Sequence, residues 1–278
     1  MRSLPVTELE VRLTEAQVAA FGRDGFTSVD RITTDDEVAW LREVFDELFS
    51  AKEGGVPGGY FDLARPYDAP GDDDLPQVLF PDLRFPELRN TQFFRNAKAI
   101  TAQLLDAPAD ELHGWAHMIH KPARHGHEIP WHQDEAYWDP GHTYRAVGAW
   151  LPLDDVDLAN GCMCFVPGSH TGAVHPHRHI DDDPAVHGLW TDATDGAGMV
   201  PVPLAAGGAT FHHPRTLHHT PPNASDRQRR AVAVEHQTAP IPREVADERP
   251  WVDEGFAAWA ARPVIIQATE AMERSNPS

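Results

Sequence analysis

The sequence has few cysteines and no long apolar run, and both shortages narrow the class of protein. Only two of the 278 residues are cysteine. Small secreted domains carry many, so we expect a chain that folds without disulfides in the reducing cytoplasm. No run of about 18 apolar residues occurs, so we expect no membrane-spanning helix. The N-terminal segment MRSLPVTELEVRLTE also lacks the apolar stretch of a secretory signal.

Basic residues are also scarce. The chain has 23 Lys and Arg against 43 Asp and Glu, a formal net charge of −20. Nucleic acids and anionic membranes bind to basic surfaces, so we expect neither as a partner. The acidity is compatible with a neutral or cationic small-molecule substrate, and equally with a role in solubility alone. Oligomeric state is not readable from these totals.

Familiar phosphate-binding and hydrolase motifs are missing as well. There is no Walker loop, no GxGxxG after a strand and no GxSxG elbow. The usual nucleotide-binding and serine-hydrolase classes are therefore excluded.

Two helices are predicted near the start of the chain. TEAQ from Thr14 and TDDE from Thr34 both match the capping-box pattern. The first helix should end near 22–25, before a short strand from Phe26 to Asp30. The second helix has apolar residues at helical spacing and so one buried face; these are Val38, Leu41, Val44, Phe45 and Leu48.

The remaining chain divides into loops, one more helix and many short strands. Residues 51–86 are rich in Gly, Pro and Asp, and long loops of this kind are often active-site lids. A third helix is predicted from about Pro86 to Leu105. From Leu112 onward, short apolar runs separated by turn residues indicate a β-sandwich or jelly roll. A second polar loop, and second candidate lid, covers 177–200.

The motif WHQD, residues 131–134, has the spacing of a metal site. Alternate residues of a strand face the same way, so His132 and Asp134 are expected to reach one metal ion together. Two histidines and one carboxylate form the facial triad of non-haem iron(II) oxygenases, which leaves positions open for a 2-oxo acid and O2. An isolated His-x-Asp is a weak signal, so a second histidine is needed.

Four histidines compete for that position in the segment HHPRTLHHT. They are His212, His213, His218 and His219. Adjacent strand residues face opposite ways, so His218 and His219 cannot both be ligands. His212 and His218 have the same parity, but Pro214 is expected to interrupt a strand between them. Parity alone leaves His212 and His213 open.

The chain resembles the phytanoyl-CoA dioxygenase family of 2-oxoglutarate-dependent oxygenases. Three blocks match in order: WHQD, NGCMCFVPGSHTGAVHPH and GGATFHHPRTLHHTPPNASDRQRRA. The helix–DGF–helix opening is also typical of the family. The likeness runs from about Thr14 to about Gln237.

This resemblance implies a fold and a set of cofactors. The fold would be mainly β, a double-stranded β-helix (cupin-like jelly roll) with N-terminal and flanking α-helices. Residues 1–278 would form a single domain, helical over about 1–110 and with its jelly-roll core over about 111–240. The cofactors would be Fe(II), 2-oxoglutarate as cosubstrate and O2, and the enzyme would oxidise a small organic metabolite.

The resemblance also assigns roles to individual residues. His132, Asp134 and His218 fall on the metal-ligand positions. Arg229, 11 residues after His218, falls on the 2-oxoglutarate-binding arginine. Two further positions, Thr220 and Gln133, match residues that help to hold the cosubstrate. A last one, His117, falls where the family often places another side chain facing it.

Strand alternation and residue chemistry support part of this assignment. On RRAVAV, Arg229, Ala231 and Ala233 would share one face, and small neighbours leave room for a ligand beside the arginine. Arginine pairs bidentately with a carboxylate, as a 2-oxoglutarate site requires. Cys162 and Cys164 are predicted to pack in the core. Tyr137, Trp138 and Trp150 are expected in the core or in the pocket wall.

Three functions remain open from the sequence. The first is oxidation at a C–H bond, whether as hydroxylation, desaturation, epoxidation, ring closure or epimerisation. The second is a metal-dependent isomerase or hydrolase on the same jelly roll, which would not need Arg229 or Thr220. The third is a non-catalytic 2-oxoglutarate-binding protein. If the acidic segments 71–74 and 181–183 frame the pocket mouth, a substrate without phosphates is expected.

Overall fold

The computed structural model describes residues 3–5, 8–52, 59–66 and 73–260, and within them it has four α-helices and fifteen β-strands. The helices are α1 (Glu15–Asp24), α2 (Asp35–Ala51), α3 (Gln92–Leu105) and α4 (Pro250–Ala260). The strands are β1 (Phe26–Val29), β2 (Tyr60–Asp62), β3 (Pro76–Leu79), β4 (His113–Lys121), β5 (Ile129–His132), β6 (His142–Thr143), β7 (Ala146–Pro152), β8 (Met163–Phe165), β9 (Arg178–His179), β10 (Leu189–Trp190), β11 (Val200–Val202), β12 (Ala209–His212), β13 (His218–Thr220), β14 (Arg229–Gln237) and β15 (Ile241–Pro242).

The two predicted N-terminal helices form, but their caps differ. Thr14 and Gln17 exchange both hydrogen bonds of a capping box at α1. At α2 the Thr34 side chain accepts from the backbone of Glu37, yet the Glu37 carboxylate accepts instead from the backbone N–H groups of Gln92 and Phe93. Glu37 therefore caps α3 and ties the two helices together.

The third helix starts later than predicted. Residues Pro86–Asn90 form a 3-10 helix, and α3 begins only at Gln92, where the Thr91 side chain caps it. The proline at 86 sets the backbone for the first, separate turn.

Two antiparallel sheets make the jelly roll. The main sheet has the order β1-β12-β7-β14-β4-β3-β2, and the smaller sheet has the order β11-β8-β13-β5. Helices α1–α3 cover the outer face of the main sheet, where Val232 and Val234 of β14 join their apolar core. Ala231 and Ala233 point the other way and pack with residues of the smaller sheet, Phe165 among them. The predicted mainly β jelly roll with flanking helices is confirmed.

The predicted loop over 51–86 is partly strand. Strands β2 and β3 pair with each other, and β3 pairs with β4, so they extend the main sheet at one edge. Within this segment, residues 53–58 and 67–72 lie outside the described part. The second range includes the first two residues of the acidic segment 71–74. Residues 177–200 contain β9 and β10, which pair with each other. Whether either segment acts as a lid stays a prediction, as does the single-domain boundary.

None of the described helices is both long enough and apolar enough to cross a lipid bilayer. Cys162 and Cys164 are buried in the core between the sheets and form no disulfide, in agreement with the predicted packing role.

Candidate metal centre and ligand cavity

Three side chains converge between the two sheets. His132 ends β5 and His218 begins β13, and the two residues face each other in the strand register. Asp134 Oδ1 lies 3.7 Å from Nε2 of His132 and 3.5 Å from Nε2 of His218. One ligand atom from each residue lies within 4.8 Å of the others. This spacing is suited to a single metal ion.

The backbone at Asp134 differs from the predicted strand. Strand β5 ends at His132, and Asp134 is the first residue of a 3-10 helix. Gln133 between them is nevertheless extended, with φ −123° and ψ 132°. The i, i+2 relation therefore still directs both side chains to the same side.

Backbone carbonyls fix the orientation of both imidazole rings. Nδ1 of His132 donates to the Pro130 carbonyl at 2.8 Å, and Nδ1 of His218 donates to the Thr216 carbonyl at 2.9 Å. With the proton on Nδ1, each Nε2 presents its lone pair toward Asp134. Burial lowers the pKa of both histidines, which keeps them neutral as a metal requires. The donor set therefore fits a divalent metal.

A further histidine holds the carboxylate. His212 ends β12, and its Nε2 lies 2.8 Å from Oδ2 of Asp134. Burial by itself would raise the pKa of Asp134, but His218 and the hydrogen bond with His212 lower it, so the group is ionised. Gly148 faces His212 in the register, and a Cβ there would lie 2.7 Å from the His212 ring. A glycine at 148 therefore provides the space that the ring occupies.

An ion-pair cluster anchors the turn behind the metal centre. The carboxylate of Glu135 is fully buried and accepts from Arg215 at 2.7 and 2.9 Å and from Arg249 at 3.0 Å. Arg215 lies just before β13, and Arg249 immediately precedes α4. The cluster joins both segments to the residue that follows Asp134, so it positions the carboxylate relative to His218.

Replacing Glu135 with alanine is expected to destabilise the fold by about 3–5 kcal/mol, because Arg215 and Arg249 lose the buried carboxylate that they share. Chemical denaturation of the metal-free protein measures this loss. Glu10→Ala is the control, since Glu10 forms an exposed pair with Arg12 and its removal should have little effect. Equal stability of the two variants would contradict the anchoring role.

Gln133 has a positional role in the structure. Its Nε2 donates to the Arg215 carbonyl at 2.6 Å, and its Oε1 accepts from the His175 backbone at 2.8 Å. The side chain is fully buried among these groups and is absent from the cavity wall described below. Contact of Gln133 with the cosubstrate stays a prediction.

The other two predicted cosubstrate residues present unpaired polar atoms. Arg229 is fully buried, and its Nε and Nη2 have no hydrogen-bond partner among the described residues; Nη1 makes one long contact of 3.4 Å to the Ile119 carbonyl. The guanidinium lies 5.6 Å from the Trp150 ring. Burial lowers the pKa of Arg229 to about 9. Oγ1 of Thr220 is also buried, with no partner in the described part of the chain. The unpaired guanidinium and hydroxyl groups at this end of the site fit a carboxylate.

A cavity of about 190 Å³ contains the metal centre. His117, Trp150 and Thr220 line it, so the predicted pocket position of Trp150 is confirmed along with its burial. Aromatic rings form a further part of the wall. They belong to Phe61, Trp115, Tyr137, Trp138 and His187. Phe61 and His187 come from the two predicted loops.

Residues next to the candidate metal ligands in the sequence make contacts with other side chains and with the backbone. The His219 ring stacks on Trp131 with centroids 4.1 Å apart. His213 packs near His170. Ser169 donates to the Val166 carbonyl and accepts from the Leu217 backbone. The structure thus brings His132, Asp134 and His218 together and directs His213 to other partners.

Besides Gln77, His187 and His219, two polar residues of the cavity wall were not singled out as site residues from the sequence. They are His212, which parity had left open, and Glu235, which lies on the same face of β14 as Arg229. The alternation of β14 signals the orientation of Glu235 but gives no sign that this part of the strand borders the metal centre.

The chain is similar to several known proteins. A family model, Phytanoyl-CoA dioxygenase (PhyH), matches residues 21–231. A mouse protein, Phytanoyl-CoA dioxygenase domain-containing protein 1, is 34% identical over 121 residues, or 42% of this chain and 41% of its own length. A probable alpha-ketoglutarate-dependent hypophosphite dioxygenase from Stutzerimonas stutzeri is 33% identical over 121 residues, with 41% of each chain covered. These matches span about two fifths of the relatives' lengths.

A solved structure matches over a longer stretch. EvdO2 from Micromonospora carbonacea var. aurantiaca, complexed with 2-oxoglutarate, is 36% identical. The TM-score is 0.77, and the match covers 89% of this chain and 100% of that chain.

Proposed function

This chain belongs to the phytanoyl-CoA dioxygenase family, and we propose that it is an iron(II)- and 2-oxoglutarate-dependent dioxygenase that oxidises a small organic metabolite at a C–H bond. His132, Asp134 and His218 hold the iron. Arg229 and Thr220 bind the distal carboxylate of 2-oxoglutarate. Bound iron, with 2-oxoglutarate and O2, supplies the oxidising power, and the cosubstrate leaves as succinate and CO2.

One observation carries this proposal. A fully buried guanidinium, without an anionic partner among the described residues, lies 5.6 Å from Trp150 in the wall of the cavity that holds a His–Asp–His cluster. Burying an unpaired charge is costly, so a fold that retains one is built to receive a counter-ion. A metal-dependent isomerase or hydrolase would need the cluster but not this guanidinium. The arginine therefore favours a carboxylate cosubstrate over those alternatives.

The residues of the chain perform three tasks. The two imidazoles present their Nε2 atoms in fixed orientations because backbone carbonyls hold Nδ1. His212 fixes the second carboxylate oxygen of Asp134, which leaves Oδ1 toward the histidines. The aromatic wall excludes water and so strengthens the electrostatic contacts of the bound ligands.

Succinate release tests the function directly. The protein is incubated with Fe(II) and 2-oxoglutarate under air and under argon, with a panel of metabolites grouped by chemical class. A dioxygenase forms succinate only under air and faster with its substrate. A non-catalytic binder would take up 2-oxoglutarate without forming succinate, and a hydrolase or isomerase would act without 2-oxoglutarate.

Acyl-CoA thioesters are expected to be poor substrates despite the family name. None of the described residues that line the cavity is Lys or Arg, so the phosphates of CoA would find no cationic side chain there. The described part of the acidic segment 71–74 contributes less free negative charge than predicted, because Asp73 pairs with Lys52 and Asp74 pairs with Arg65. Steady-state kinetics with a series of acyl-CoA esters checks this. A KM in the low micromolar range for any of them would contradict it.

A further inference from the structure

The cavity contains a second acidic side chain that the proposed mechanism does not use. Glu235 is 8% exposed and lines the cavity together with the metal cluster. Its Oε1 is buried and has no hydrogen-bond partner within the part of the chain that the structure describes. A buried carboxyl oxygen without a partner is rare in a native fold, and next to a cavity it indicates a group that a ligand completes.

Strand β14 places this group opposite the cosubstrate end. Arg229 and Glu235 lie on the same face of β14, with Ala231 and Ala233 between them. Six residues of strand separate the two Cα atoms by about 20 Å. Of these two small residues, Ala233 lines the cavity and Ala231 packs in the core between the sheets. One face of a single strand therefore carries a cationic group at one end of the site and a carboxyl group at the other.

The surroundings of Glu235 are apolar and aromatic. Trp115 faces it on β4, and Gly148 faces it on β7. Trp138 packs edge-on against Trp115 at a centroid distance of 6.0 Å and also lines the cavity. A Cβ at Gly148 would lie 3.2 Å from Oε2 of Glu235, so this glycine leaves room for the carboxyl group as well as for His212.

When the metal and the cosubstrate are bound, Glu235 is the acidic group of the cavity that is left to discriminate among substrates. With iron(II) and 2-oxoglutarate bound, the charges of the metal, the dicarboxylate, Asp134 and Arg229 cancel. No described Lys or Arg lines the cavity, so none is available there to pair with Glu235.

We propose that Glu235 is the substrate-recognition residue of this enzyme, and that it hydrogen-bonds a hydroxyl or ammonium group on an uncharged or cationic substrate. Anionic substrates are excluded, because a second carboxylate or a phosphate would meet an acidic group without a counter-ion. Trp115 and Trp138 supply an apolar wall for the substrate skeleton, and an ammonium group beside such rings gains cation–π attraction. This inference rests on the proposed function, since it assigns the substrate end of the same site.

Three probes with a common ring test the charge preference: cyclohexanol, cyclohexylamine and cyclohexanecarboxylate. Their affinities are measured by titration calorimetry under argon, on protein loaded with Fe(II) and 2-oxoglutarate, so no turnover occurs. We expect the alcohol or the amine to bind about tenfold or more tightly than the carboxylate, as one charge-assisted hydrogen bond provides. Tighter binding of the amine identifies an ammonium substrate, and tighter binding of the alcohol identifies a hydroxyl substrate.

Two variants assign that preference to Glu235. Glu235→Leu should abolish it, whereas Glu235→Gln, which keeps a hydrogen-bonding side chain, should retain binding of cyclohexanol but lose any advantage of the amine. Glu111→Gln is the matched control, because Glu111 is exposed and does not line the cavity. The control should keep the preference of the parent protein.

The proposal is overturned if cyclohexanecarboxylate binds as tightly as the other probes, if none of the three binds, or if the preference survives in Glu235→Leu. Direct titration of each variant with 2-oxoglutarate separates this failure from failure of the proposed function. If the parent protein does not bind 2-oxoglutarate, the proposed function fails. If 2-oxoglutarate binds but the probe preference does not depend on Glu235, only the assignment of this residue fails. Loss of 2-oxoglutarate binding in Glu235→Leu would place the residue at the cosubstrate end and so also refute the proposal.

Discussion

His218→Ala is expected to abolish iron-dependent succinate formation, whereas His219→Ala is expected to retain most of it. The Nε2 of His218 points at Asp134 and the ring faces His132, so its removal leaves two protein ligands and an incomplete facial triad. His219 is the matched control because it is the next residue on the same strand and packs on Trp131. Succinate assays and titration with Fe(II) measure both consequences.

The assignment of His218 as the metal ligand would be wrong if one of the competing histidines bound the iron in its place. His212 contacts Asp134 and lies 4.6 Å from the His218 ring, so it is the strongest rival. Its alanine variant should weaken iron binding through loss of the hydrogen bond to Asp134, while leaving three ligands in place. Strong iron binding by His218→Ala, together with its loss in the His212 or His219 variant, would show that a different histidine is the ligand.

Arg229→Ala should preserve the fold and raise the apparent KM for 2-oxoglutarate strongly. Loss of one partner from a buried charge pair costs about 2–5 kcal/mol. At about 1.4 kcal/mol per tenfold change, the KM rises roughly 30-fold to several thousand-fold. Steady-state kinetics against 2-oxoglutarate measures the shift, and direct binding under argon separates it from effects on later steps.

A nearby arginine provides the control for this experiment. Arg227 is two residues away, is about half exposed and lies 3.7 Å from Asp157 at the surface. Arg227→Ala should leave the KM nearly unchanged. An unchanged KM in folded Arg229→Ala would refute the assignment of this guanidinium to the cosubstrate carboxylate.

Local sequence patterns were sufficient to predict the structural features that depend on residues close together in the chain. The capping residues Thr14 and Thr34 identified two helix starts, because a cap depends on side chains within one turn. Alternation on β14 separated Val232 and Val234 from Ala231 and Ala233, because the period of a strand fixes its two faces. Local sequence pattern did not predict the start of α3 correctly, because Pro86 begins a separate 3-10 turn and not the helix itself.

The metal motif was readable because its residues are close in sequence or fall in blocks typical of the family. His132 and Asp134 are two positions apart, and the extended backbone at Gln133 preserves their relation even though the strand ends. The choice of His218 over its neighbours needed the resemblance, since parity alone left His212 open. In the structure, those two histidines lie on different sheets that meet at Asp134.

The sequence by itself determined the fold class, the chemistry of the WHQD motif and the inward face of β14. Only the tertiary structure decided which distant groups share the cavity. The contact of His212 with Asp134 spans 78 residues, and that of Arg249 with Glu135 spans 114. Such contacts depend on how strands from two sheets and a helix start come together, and no local period records that arrangement. Glu235 shows the difference most clearly, since its strand position sets its direction while the packed sheets place it beside the metal centre.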